Sequence, residues 1–276
     1  MIIQEPKKLP PSGQHWYTLI GEACHRQPDG KATTLREART QNLVPSVSGI
    51  IGLIERPHLT KWKCDNMIKT TLKNPYVAGE PEQDYITRIH GYANIDKQKT
   101  LDFGSRVHKA IEEYNLLHKL RCSYGNRYGK FDESKDPELW PYLETYIRWA
   151  QERLKSIIAV EKTVVNTRWG YGGTIDLVCQ VHGIKGEVIV DFKTQRYEGK
   201  RPTFHHEYGY QLAAYRKTFK PIPKCISLVI NAIEPRPAVE KIYTSKELQR
   251  GWRVFRSTIK VWQESKKYEP ARECNQ

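Results

Sequence analysis

Apolar positions change their period along this chain, and the change maps its elements. Up to residue 44 the pattern is polar and broken by Pro10, Pro11, Pro28 and Gly30. That predicts an irregular or hairpin-like segment with a short strand over 16–20. An apolar run, 49–54, then follows Ser46 and Ser48, either of which can cap a helix. A second helix follows Pro57, with Leu59, Trp62, Met67, Ile68 and Leu72 roughly on one side. Residues 74–100 read as a mixed, partly helical connection. Val107, Ile111, Tyr114 and Leu117 recur at helical spacing, predicting a helix over 101–121. A polar Gly/Tyr loop occupies 121–135. Asp136-Pro137-Glu138 then signals a helix start, with Leu139, Leu143, Tyr146, Ile147, Ala150 and Leu154 on the inner face.

Beyond 158 the period shortens. Residues 158–168 alternate loosely, Trp169 to Gly173 form a turn, and 174–181 return antiparallel. A third strand spans 187–194, and its Val188-Ile189-Val190 run is apolar on both faces, as in a buried central strand. A helix over 207–219, strands over 226–233 and 239–243, and a last helix follow. Thr244 and Glu247 have capping-box spacing. Leu248, Trp252, Phe255, Ile259 and Trp262 keep helical period after them. The order predicts an α/β fold: a central mixed β-sheet flanked by helices, with an N-terminal helical portion. Two regions are expected, an N-terminal segment with a helical cap over 1–100 and a core over 101–276 that ends in a basic amphipathic helix.

Composition narrows the class. Forty-five Lys and Arg against 31 Asp and Glu leave a formal charge of +14, which favours a polyanionic partner. No apolar run is long enough for a membrane span. The N-terminus lacks the apolar core of a secretory signal and the arginine-rich pattern of a transit peptide, so a cytoplasmic location is expected. Six cysteines, at 24, 64, 122, 179, 225 and 274, include no C-x-x-C pair. Reduced thiols are the expectation, Cys179 sits in a core pattern, and no iron–sulfur cluster is expected.

The chemistry gathers on adjacent strands. Asp176 lies on one, and Asp191 and Lys193 lie two apart, hence on one face, of the next. Acids buried together need a metal or a paired charge. Two hard oxygen donors beside an ammonium suit Mg²⁺-dependent phosphodiester hydrolysis, with Lys193 orienting or deprotonating water or neutralising charge on the phosphate. Gly172 and Gly173 would permit close approach of a ligand. His108 lies one turn from Gly104, which would leave space above its ring, and one turn from Glu112. It is either a satisfied boundary residue or a metal ligand. Gln211 and Tyr215, four apart, are either core packing or a hydrogen-bonding pair that positions Lys193 or a phosphate. Glu161 is either a supporting acid or an additional ligand, and Glu112 ranks as a supporting acid. His205 and His206 beside Glu207 read as a phosphate contact or a solvated pair. Trp169 and Tyr171 could stack on unpaired bases, and Arg250 and Arg253, with Lys246 and Lys260, could track a phosphate backbone.

These segments together resemble the PD-(D/E)XK nuclease superfamily, in its RecB-type exonuclease branch. The matching motifs are Gly104 to Glu112 with its His, Gly173-Thr174-Ile175-Asp176, Asp191-Phe192-Lys193-Thr194 and Gln211 to Tyr215, in the branch's order over about residues 101–245. Val44 to Ser48 and Leu59 to Trp62 extend the likeness to phage exonucleases and the mitochondrial genome maintenance exonuclease. The resemblance implies a restriction-endonuclease-like core and Mg²⁺ or Mn²⁺ held by His108, Asp176, Asp191 and the Phe192 carbonyl. It implies a catalytic Lys193 supported by Gln211 and Tyr215, and helices arching over single-stranded DNA. A phage source would place the protein in the host cytoplasm. The expected activity is exonucleolytic hydrolysis of single-stranded DNA or DNA ends. A structure-selective endonuclease and an inert nucleic-acid-binding adaptor are the alternatives.

Overall fold

A computed structural model describes residues 15–124, 136–199 and 201–270. Two short strands, β1 (Trp16–Tyr17) and β2 (Val44–Pro45), pair antiparallel and enclose a small helix, α1 (Leu35–Thr40). The sequence reading missed α1, although its signal is present. Thr34 and Glu37 form a reciprocal capping box. Ser46 caps α2 (Val47–Ile51) by accepting from Gly49 N–H at 3.0 Å. Helix α3 (Pro57–Lys73) starts at the predicted proline.

The largest departure comes next. Residues 82–124 form one helix of 43 residues, α4 (Glu82–Tyr124), in place of a mixed connection followed by a shorter helix. At 1.5 Å per residue it is about 64 Å long. Its first half has a weak apolar pattern because little of it packs on the body. Ile89 and Ala93 are its buried positions there, and α3 lies alongside, with Asn66 Nδ2 donating to Ala93 O at 3.2 Å. The predicted loop over 121–135 falls largely outside the described residues.

Helix α5 (Trp140–Arg153) starts later than Asp136-Pro137-Glu138 suggests. Asp136 does accept from Leu139 N–H, at 3.2 Å. However, Pro141 has no N–H to offer the carbonyl of Pro137, so the first turn stays irregular.

A five-stranded sheet follows, in the order β3 (Leu154–Asn166), β4 (Tyr171–Val181), β5 (Val188–Gln195), β6 (Lys224–Asn231), β7 (Val239–Ile242). All neighbours are antiparallel except β5 and β6. The parallel pair needs a crossover, which α6 (His206–Arg216) supplies. Helix α7 (Ser245–Lys266) closes the chain, with its Thr244–Glu247 capping box formed as predicted. The architecture is therefore the mixed sheet flanked by helices that the pattern called for.

Two cores result, one on each sheet face. Val178 and Ile189 pack with α2, α6, α7 and the N-terminal residues Trp16, Ala38 and Leu43. Leu177, Val190 and Phe192 pack with Val107 and Ile111 of α4 and with Leu143 and Tyr146 of α5. Residues 16–51 thus share the core of α6 and α7. Cys179 is buried as expected. Among the described residues, no helix is long and apolar enough to cross a membrane.

Candidate active site

Strands β4 and β5 pair as far as Leu177 opposite Val190. One step beyond stand Asp176 and Asp191. Val178 and Ile189 both face α6, so side chains two residues away, Asp176 and Asp191, take that face too. Where the ladder ends, the Phe192 N–H donates to Asp176 Oδ2 at 2.6 Å. Lys193 Nζ lies 2.8 Å from Asp191 Oδ2, as the two-residue spacing requires. It also donates to Gln211 Oε1 at 3.1 Å. Gln211 Nε2 in turn donates to the Tyr215 hydroxyl at 3.2 Å. A continuous polar relay therefore runs from the acids on the sheet to one face of α6.

Gly173 makes room for the end of that relay. A Cβ there would stand 2.5 Å from the Tyr215 ring, and one at Gly172 would stand 3.1 Å from Tyr17. The close approach that these glycines permit is made by tyrosines. Gly104 behaves likewise: a Cβ would lie 2.8 Å from Thr194 Oγ1. Its lack of a side chain brings α4 down on β5, which corrects the expectation of open space over His108.

The charges are held against water. Asp191 is 2% exposed. Burial pushes its carboxyl up to about 6, the Asp176 charge adds to this, and Lys193 opposes it. Burial also raises Asp176, against the pull of Lys193 and the Phe192 N–H. The Lys193 contact lacks hydrogen-bond angles, so buried Asp191 Oδ2 has no directed donor. His108 reaches in from α4, its ring 6.2 Å from that of Phe192. Burial, then Lys193, push its imidazole down to about 4, so it is neutral at ordinary pH and offers a lone pair. Two acids biased toward holding protons, a buried carboxylate oxygen met by an ion pair without hydrogen-bond angles and a neutral imidazole fit a divalent cation.

The model of the PD-(D/E)XK nuclease superfamily matches residues 83–275, well over half of the chain. The chain belongs to the PD-(D/E)XK nuclease superfamily. Membership implies nuclease chemistry and a nucleic-acid substrate. One solved structure, described as the crystal structure of SSO0001, is similar over 56% of this chain and 71% of its own, at 15% identity and a TM-score of 0.26. No curated protein matches.

The other predicted residues of this nuclease divide clearly. Glu112 on α4 and Glu161 on β3 stand by Asp176. Burial raises both, Glu161 feels Asp176 and Glu112, and Glu112 feels Glu113 and Asp176. Glu161 keeps water contact at its surface, and its backbone is left-handed, φ +48°, a strained state for a residue with a side chain. Tyr171 is not a base-stacking residue. It is fully buried, its hydroxyl donates to Ala214 O at 3.0 Å, and its ring meets Phe255. Strand alternation turned it into the core, a consequence of the strand resuming at 171 and not at 174. Trp169 stays half-buried, packed edge-on against Trp252 with Arg256 over its ring. Arg250 and Arg253 are exposed on α7.

One grouping was missed. Among the described residues, the three potential ligand atoms within 4.8 Å of one another belong to His58, His205 and Glu207. His108, Asp176 and Asp191 share one region without closing to that distance. The sequence flagged His205 and Glu207, but His58 lies almost 150 residues away, where no spacing rule could connect it.

Proposed function

We propose that this nuclease is a Mg²⁺- or Mn²⁺-dependent deoxyribonuclease that removes nucleotides from single-stranded DNA or DNA ends. The observation that carries the reading is the relay from Asp191 through Lys193 and Gln211 to Tyr215, set beside Asp176. A divalent ion held by His108, Asp176, Asp191 and the Phe192 carbonyl would polarise the scissile phosphate and lower the pKa of the attacking water. The chain's own groups do the rest. Lys193 is held from two sides, by Asp191 and by Gln211, so its ammonium points at one spot. There it orients the water or neutralises charge growing on the phosphate. Tyr215 fixes the Gln211 amide and thereby the lysine.

Preference for single strands or ends is supported by the helices outside the sheet. Thr70 is the buried residue of α3, and α4 extends well past its packed half. In the resembling branch such helices arch over a threaded strand. The charge of +14 supports a nucleic-acid substrate, with Arg250, Arg253 and half-buried Trp169 as contacts.

End-labelled linear strands and closed single-stranded circles, incubated with Mg²⁺, Mn²⁺ or EDTA, test the reading. Linear strands should release nucleotides only with metal, while circles survive. Circles cut as fast as linear strands would make the enzyme an endonuclease. Lys193→Ala should lower nucleotide release by about 10²–10⁴. An unchanged rate removes Lys193 from its role.

A further inference from the structure

His58, His205 and Glu207 meet where the helical portion touches the core. His58 stands in the first turn of α3, His205 immediately precedes α6, and Glu207 lies in the first turn of α6. The two imidazoles stack at 3.7 Å, 13° from parallel. His58 Nε2 is 3.3 Å from Glu207 Oε1. The Gln195 amide fixes the state of the other ring. Gln195 Oε1 accepts from Thr203 N–H and its Nε2 donates to Thr203 O, both at 3.0 Å, which settles the amide's orientation. That same Nε2 lies 3.0 Å from His205 Nε2, so the histidine nitrogen accepts and carries a lone pair, not a proton.

Two imidazole nitrogens and a carboxylate, their ligand atoms within 4.8 Å of one another, are the donor set of a first-row transition ion. Mg²⁺ takes oxygen ligands and is a poor match to two imidazoles. The group is separate from the acid pair. The Tyr208 ring stands between them, 5.4 Å from Lys193 Nζ and 5.4 Å from the His205 ring.

We propose that His58, His205 and Glu207 form a second cation site, specific for a first-row transition ion of the Zn²⁺ type, that fastens α3 to the start of α6. The ion takes the place of the His58–Glu207 contact and of the Gln195 hydrogen bond on His205, and the partly exposed His58 ring turns out of the stack so that its in-plane lone pair meets the ion while its ring proton stays on the other nitrogen. Water fills the remaining position, because His58 is partly exposed. The fastening lies one ring from Lys193, so it steadies the junction between the helical portion and the catalytic sheet. It does not depend on which nucleic acid the enzyme cuts.

Co²⁺ serves as the probe, on the full chain carrying Asp176→Asn and Asp191→Asn so that the acid pair cannot compete. One equivalent should bind at micromolar concentration with visible absorption bands of a nitrogen- and oxygen-ligated ion, and Zn²⁺ should displace it. Adding His58→Ala or Glu207→Gln, each of which removes a direct ligand, should weaken binding by about 100-fold or more, beyond the loss of an outer-shell partner, and abolish the bands at micromolar Co²⁺. The unaltered chain in excess Mg²⁺ gives a second readout, a rise in Tm with Zn²⁺ that His58→Ala removes. Absence of Co²⁺ binding, or bands and affinity untouched by both substitutions, overturns the site.

Discussion

Asp191 shows how a single residue ties stability to chemistry. Its carboxyl is nearly sealed from water and raised by burial and by Asp176, so its ionised form weighs against the fold at neutral pH. Asp191→Asn should therefore raise the metal-free Tm at pH 7, by on the order of 1 kcal/mol or more in stability. Lys193 still has Gln211 as an acceptor in that variant. The same substitution should erase the Tm gain on adding Mg²⁺. Thermal unfolding with and without Mg²⁺ checks both. A lower metal-free Tm would mean that the Lys193 contact outweighs the cost of burying the charge. Gly173 is the second decisive position. A methyl group there meets Tyr215 at 2.5 Å and must push the phenol off Gln211. Gly173→Ala should cost about 1–3 kcal/mol and should lower kcat more than KM, because the displaced group acts through Lys193. Steady-state kinetics beside a denaturation curve separate the two effects.

Helix ends carry their own titration. Glu247 is held down to about 2, first by the Thr244 N–H, with the Lys241 ammonium at 2.9 Å also favouring the charged form. In the unfolded chain a glutamate titrates near 4.3. The folded form binds fewer protons between these values, so the stabilisation is present above about 4.3 and is lost as pH falls towards 2. The carboxylate is 41% exposed, so solvent screens it. Glu247→Ala should cost about 0.5–1 kcal/mol at pH 7, shrinking as pH approaches 2, read from unfolding curves along a pH series. Helix α4 makes the complementary point. Its first half has a weak apolar pattern and few packed residues, and α3 beside it supplies the partner that its own sequence does not advertise.

At the scale of the whole molecule, charge decides association. The formal charge is +14, and Arg250 and Arg253 lie on the solvent face of α7, opposite Leu248, Phe255, Ile259 and Trp262. Reversing both arginines to glutamate should weaken DNA binding and flatten the slope of log K against log salt by about 2, with the fold intact. Binding titrations at several salt concentrations read this directly, and an unchanged slope would take α7 out of the interface. The succession of strands and helices beyond residue 158, the shared face of Asp191 and Lys193, the pairing of Gln211 with Tyr215 and the cap of α7 were legible in the sequence, because each follows from a local period of two, three or four residues. Tyr171 was misread because a strand's first residue, hence its facing, is not fixed by the turn before it. The single long α4, the tyrosines over Gly172 and Gly173, and the meeting of His58 with His205 and Glu207 were decided only by tertiary structure. Each depends on distant segments filling one another's space, and a linear pattern records what a residue is but not what arrives beside it.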